Sequence, residues 1–204
     1  MAERLSAYAG RDDVVVLALP RGGLPVAFEI ASALKAPLDV FVVRKLGVPG
    51  QEELAMGAIA SGGVRVVNED VTRDLQIDGA TIDRVAEMES RELQRRESVY
   101  RGGRPPAQLE GKVAILVDDG IATGSTMRAA ISAVRGRGPH AVIVAVPAAA
   151  PSTCREIGRE VDEIVCVRTP EPFYAVGAWY EDFGQLTDDD VRRILEEAAT
   201  TNDA

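Results

Sequence analysis

The sequence predicts an α/β fold in which a parallel sheet is covered by helices on both faces. Three observations carry this. Residues 14–19, 113–117 and 141–146 are short, continuous apolar runs, the pattern of strands buried on both sides. Between the runs lie stretches whose apolar residues recur with a helical period. Strands alternating with helices in one chain close into parallel βαβ units.

Each element follows in order. Residues 14–19 form the first strand, broken by Pro20-Arg21-Gly22-Gly23. A helix comes next, with Ala27, Ile30, Ala31 and Leu34 on one face. Residues 39–43 read as a second strand, ending in Arg44-Lys45. Residues 47–53, with Gly, Pro and charges, read as a mobile loop. Residues 56–60 and 64–67 form a hairpin around Ser61-Gly62-Gly63. Residues 79–100 form a polar helix with a thin apolar stripe of Ile82, Val85 and Ala86 and supportive Glu87–Arg91 and Glu92–Arg96 pairs. Its charges read as a solvated face. Residues 101–106 read as a linker.

Residues 113–117 are the third strong strand, followed by a helix that turns Met127, Ala130, Ile131 and Val134 inward. Strands at 141–146 and 164–167 flank a helix near 151–160. Mixed aromatics occupy 173–183. The last helix starts at Thr187, an N-cap ahead of three aspartates that suit the helix dipole, and buries Val191, Ile194, Leu195 and Ala198.

Composition narrows the function. The 204 residues suit one α/β domain with a small appendage, and 46% hydrophobic residues is ordinary for a globular protein. No apolar run reaches the ~18 residues that span a bilayer. The first residues lack an apolar signal core, so a cytoplasmic protein with no membrane association is expected. The net charge of −9 argues against a nucleic-acid partner, although local cations can still hold a small anion. Cys154 and Cys166 are expected to be separate packed or partly exposed thiols rather than a disulfide framework. The single histidine, His140, lies just before a strand and reads as structural, which leaves no Ser-His-Asp arrangement.

The informative stretch is Val113-Ala-Ile-Leu-Val-Asp-Asp-Gly-Ile-Ala-Thr-Gly-Ser-Thr126. Asp118 and Asp119 emerge where the strand ends, which is where ligands of parallel sheets lie. Carboxylates accept hydrogen bonds only, so they suit vicinal hydroxyls. The turn and helix start offer unpaired N–H groups and the hydroxyls of Thr123, Ser125 and Thr126, an anion cradle. Gly124 lets the backbone approach that anion. Two sugar hydroxyls beside one phosphate describe a ribose 5-phosphate. No nucleotide P-loop or dinucleotide fingerprint occurs.

Residues 116–126 resemble the phosphoribosyl-pyrophosphate (PRPP) motif of type I phosphoribosyltransferases, and the chain is most similar to an uncharacterised group within them. The resemblance implies a three-layer, parallel-sheet core with a small hood. It implies a core over 1–168, with 79–101 as an inserted helix that covers the site or forms a dimer contact, and a hood with the C-terminal helix over 169–204. It assigns Asp118 and Asp119 to the ribose and, directly or through water, to Mg²⁺. It assigns Ala122, Thr123, Gly124, Ser125 and Thr126 to the 5′-phosphate. Ala122 stands where the 6-oxopurine enzymes carry an Asp, which resembles the adenine or orotate enzymes instead.

Leu19-Pro-Arg-Gly-Gly23 is similar to the family's pyrophosphate loop, with Arg21 as the cation and Gly22 and Gly23 allowing close backbone approach. Arg44 and Lys45 resemble a basic pair that bears on pyrophosphate, or are an exposed basic pair at a strand end. Gln51, Glu52 and Glu53 fall on a closing flap. The segment 172–183 resembles the acceptor hood. It holds the chain's only Trp and half of its Tyr and Phe, so Trp179 and Tyr180 are acceptor-binding candidates or a satellite core.

The expected activity is a pentosyl-type glycosyl transfer in nucleotide metabolism. PRPP and a nitrogenous acceptor would give a nucleotide or related ribosyl phosphate plus pyrophosphate. Asp118, Asp119, Arg21 and Lys45 would be the catalytic set, Mg²⁺ the cofactor and a homodimer the assembly. The other open reading is a regulator that senses PRPP or nucleotides without turning them over.

Overall fold

The computed structural model describes residues 1–202. Five parallel strands form the main sheet: β1 (Val14–Ala18), β2 (Leu38–Val40), β6 (Val113–Val117), β7 (Ala141–Ala148) and β8 (Glu163–Arg168), in the order β2-β1-β6-β7-β8. β1 runs beside β6 with Val14 opposite Val113 and Ala18 opposite Val117. Both strands are buried along their whole length, as their unbroken apolar runs require.

Successive residues of each strand point to opposite faces, so the sheet feeds two cores. Val14, Val16, Ile115 and Val117 join one, with helix α1 (Gly23–Leu34), α3 (Gly79–Arg101) and α6 (Asp188–Asn202). Val15, Leu17, Ala114 and Leu116 join the other, with α4 (Ser125–Arg135) and Ile157 of α5 (Pro151–Ile157). The result is the expected three-layer α/β arrangement. The expected inward positions Ala27, Ile30, Ala31 and Leu34 of α1, and Met127, Ala130, Ile131 and Val134 of α4, are all buried. Thr187 caps α6 in a reciprocal box: its Oγ1 accepts from Asp190 N–H at 3.2 Å, and its N–H donates to Asp190 Oδ2 at 3.0 Å.

A second, antiparallel sheet of β3 (Val43–Val48), β4 (Gln51–Ala60) and β5 (Val64–Val67) lies in the order β3-β4-β5. Two expectations change here. The run 39–43 is not one strand. It ends in the main sheet at Val40, and the chain departs at Val42, whose N–H donates to Ser61 Oγ at 2.8 Å. Arg44 and Lys45 therefore open β3 instead of ending a core strand. Residues 47–53 are not an irregular loop. They are the tip and flanks of a hairpin, with register shifts on either side of Gly47 that accommodate its bulge.

Two further corrections concern single side chains. Arg101 does not begin a linker: it is the last residue of α3 and 7% exposed. Its guanidinium pairs with Asp39 at 3.0 Å and Glu97 at 2.8 Å and donates to Val40 O at 2.8 Å. Cys154 and Cys166 are not separate thiols but a disulfide joining α5 to β8, because that helix folds back on its strand and brings the two Cα atoms to 6.8 Å. The short helices Ala2–Tyr8 (3-10) and Glu69–Asp74 (α2) had no strong periodicity to announce them. Among the described residues no helix is long and apolar enough to cross a membrane.

Candidate functional site

The chain runs outward from β1 to β2 on one side and places β6 on the other, so strand order reverses between β1 and β6. Open parallel sheets bind ligands at such a point, beyond the carboxyl ends of the strands. Here β1 ends in Leu19-Pro20-Arg21-Gly22-Gly23 and β6 ends in Asp118-Asp119. The two motifs, about a hundred residues apart in sequence, become neighbours. Leu19 N–H donates to Val117 O at 2.8 Å and carries the pairing to the edge.

The approach is close enough to demand glycine. A Cβ at Gly22 would overlap the Asp119 carboxylate, and one at Gly23 would lie 2.6 Å from Val117 O and 2.8 Å from Asp118 Cα. These contacts, rather than a turn, fix both glycines. The Pro20–Arg21 peptide is cis.

On the other side, Ile121 forms a parallel bridge with Ala149 and draws the loop after Asp119 along β7. The loop ends at Gly124, whose φ of +77° suits glycine, and Gly124 caps α4 without any side-chain bond. The first N–H groups of that helix have no intrahelical partner. Ala122, Thr123, Gly124, Ser125 and Thr126 line a cleft of about 200 Å³ together with Asp118. Two side chains that sequence reading missed brace the loop from behind. Thr153 Oγ1 donates to Ala122 O at 2.8 Å, and Arg128 Nη1 donates to Thr123 O at 3.1 Å. Neither shows a signal in the sequence, because both act on main-chain carbonyls across the fold.

A larger cleft of about 560 Å³ adjoins it, lined by Arg21, Gly22, Pro25, Val26, Asp119, Tyr180 and Asp182–Leu186. Tyr180 donates its hydroxyl to Asp119 O at 2.5 Å and packs on Phe183 with ring centroids 5.1 Å apart. Val176 lies over Gly120, where a Cβ would meet it at 2.6 Å. Trp179 is 39% exposed and lies outside both linings. So do Arg44 and Lys45. Arg44 pairs instead with Glu89 of α3 at 2.6 Å. Phe183 belongs to the aromatic segment, whereas Gln185 and Leu186 carry no periodic or compositional signal.

Among the described residues no salt bridge reaches Asp118 or Asp119; Asp118 Oδ1 accepts from Asp119 N–H at 2.9 Å. Burial first, and the neighbouring Asp119 charge second, push the Asp118 carboxyl well above the usual carboxylate range. Burial also raises Asp119. Charge unmet by the protein, on two oxygen donors beside an anion cradle, fits Mg²⁺, which takes one or two carboxylates and completes its shell with water and substrate phosphates. No group of three or more His, Cys, Asp or Glu side chains forms a closed cage among the described residues.

Comparison with known proteins shows the family. The family described as phosphoribosyl transferase domain matches residues 1–176. The chain belongs to the phosphoribosyl transferase domain family. It is 50% identical, over 97% of its length, to a Mycobacterium tuberculosis protein named "Putative phosphoribosyl transferase", and it spans 44% of that protein's length. A crystal structure of TT1426 from Thermus thermophilus superposes with a TM-score of 0.84 at 44% identity, covering 96% of this chain and 92% of that one. A stretch of 109 residues, 49% of this chain and 58% of the other protein, is 37% identical to the bifunctional protein PyrR of Geobacter sulfurreducens.

Proposed function

We propose that this phosphoribosyl transferase domain transfers the 5-phosphoribosyl group of PRPP to a small nitrogenous acceptor and releases pyrophosphate. The observation that carries the reading is the seat of Asp118 and Asp119. Asp118 lines the hydroxyl-rich cleft, and Asp119 lines the larger cleft with Arg21 and Tyr180. A ribose held by the two carboxylates has its 5′-phosphate at the start of α4 and its anomeric carbon toward the larger cleft.

In this reading Thr123, Ser125, Thr126 and the opening N–H groups of α4 hold the phosphate, with Ala122 and Gly124 giving it backbone access. Asp118 and Asp119 accept from the ring hydroxyls, and their negative charge tolerates the positive charge that develops as the C1–O bond loosens. Arg21, with the backbone of Gly22 and Gly23, receives pyrophosphate as it departs. Tyr180 and Phe183 cover a flat acceptor, whose nitrogen forms the new bond to C1. Asp118 and Asp119 would hold Mg²⁺, which neutralises charge on the departing phosphates when bound. Arg44, held by Glu89, and Lys45 lie outside this arrangement and would join it through movement of the β3–β4 hairpin.

Pyrophosphate release from PRPP and Mg²⁺ over a panel of purine, pyrimidine and other nitrogenous acceptors tests the proposal. Release that depends on one acceptor supports transfer and names its substrate class. Tight PRPP binding with no release from any acceptor replaces transfer with sensing.

A further inference from the structure

We propose that Asp188 is a positioning residue for Arg21, and that the long polar helix α3 acts on the pyrophosphate side of the site through it. The inference rests on the reading of Arg21 given under Proposed function. Asp188 is the first residue of α6, and α3 holds its carboxylate from two directions. Tyr100 donates its hydroxyl to Oδ1 at 2.9 Å, and Arg95 Nη2 lies 3.4 Å from Oδ2. Tyr100 is fully buried, so this donor cannot swing away. The C-terminal end of α3 is in turn locked to β2 by Arg101, which pairs with Asp39 and donates to Val40 O. Asp188 is therefore a fixed anion.

Arg21 faces that anion at 3.8 Å, Nη1 to Oδ1, beyond hydrogen-bonding reach. Among the described residues no hydrogen bond fills its N–H donors. The guanidinium is thus drawn to one place by charge while its donors stay open toward the cleft it lines with Gly22 and Asp119. A long cation without such a partner samples many rotamers and must be immobilised when an anion binds, at a cost of about three- to ten-fold in affinity. Asp188 would itself repel a polyanion, but it lies outside the cleft lining, and Arg95, which also pairs with Glu92, faces its carboxylate at 3.4 Å. The tether outweighs the repulsion. Sequence reading left the role of α3 open between a cover for the site and a dimer contact; this network gives it another.

The test is a double-mutant cycle on the full chain, read by calorimetric titration with Mg²⁺-pyrophosphate and, separately, with ribose 5-phosphate. Asp188→Asn is expected to weaken pyrophosphate binding about three- to ten-fold and to leave ribose 5-phosphate binding within about two-fold. Tyr100→Phe, which removes only the hydroxyl, shifts pyrophosphate binding in the same direction and guards against a folding defect in the first variant. In an Arg21→Met background, Asp188→Asn has no further effect. Unchanged or tighter pyrophosphate binding in Asp188→Asn overturns the inference, as does an effect that persists without Arg21. A wild-type chain that binds ribose 5-phosphate but not pyrophosphate overturns it while leaving the ribose site standing. Failure to bind ribose 5-phosphate overturns the reading beneath it.

Discussion

Gly22 lies against Asp119 with no room for a methyl group between them: a Cβ on Gly22 would overlap Asp119 Oδ2. Gly22→Ala must therefore displace either the carboxylate or the 20–23 loop. Overpacking of this kind costs about 1–3 kcal/mol of stability. A shift of about 1 Å in a positioning group costs about 10²-fold in rate. Urea melts and PRPP turnover measure the two effects. Gly79→Ala is the control, because a Cβ there meets nothing within 4 Å. It should leave both quantities near wild type.

The sequence announced much of this site because its chemistry is local. Asp118 to Thr126 form one uninterrupted strand–turn–helix, so spacing alone brings carboxylates and hydroxyls together. The core strands and helices were legible for the same reason: their apolar periods are strong, and α1 and α4 bury the positions that the period selects. What escaped depends on contacts across the chain. The departure of the backbone at Val42 is set by Ser61, nineteen residues later. Gly47, Pro49 and Gly50 have loop composition, yet the pairing of β3 with β4 makes them a bulged hairpin. Nothing in two cysteines twelve residues apart says that a helix will fold back on its strand. Arg21 was readable as a cation, but the Asp188 opposite it was not.

Tyr180 ties the segment after β8 to the end of β6 through its bond to Asp119 O. Tyr180→Phe leaves that carbonyl without this donor, at a cost of about 1 kcal/mol. The KM for the acceptor should rise more than that for PRPP, since the ring covers the larger cleft.

The same tyrosine gives a pH signature. Burial first, and then the charges of Asp119 and Asp118, push its phenol up to about 12 from 10.0. The fold thus favours the protonated phenol. Its contribution is full below the unfolded phenol value near 10 and fades as pH rises from there through about 12. Denaturation midpoints followed from about pH 9 to about 12 should fall less steeply in Tyr180→Phe than in wild type. Parallel curves would mean that the phenol does not contribute.

Arg101 staples α3 to the main sheet from a buried position. Arg101→Met removes the cation and leaves the largely buried Asp39 carboxylate, 15% exposed, with the N–H groups of Val40 and Ala107 as its partners among the described residues. A loss of about 3–5 kcal/mol is expected in urea denaturation. If Arg101 were the flexible linker that its Gly-Gly-Arg-Pro-Pro context suggests, the loss would be within about 0.5 kcal/mol.

The most direct test of the central claim is calorimetric titration of the chain with PRPP in the presence of Mg²⁺, comparing wild type with Asp119→Asn. The exchange keeps the shape of the side chain and removes the charge proposed to face the ribose. The account predicts saturable binding by wild type and a loss of about 10²-fold or more in the variant. Equal binding by the two proteins, or none by wild type, would contradict it.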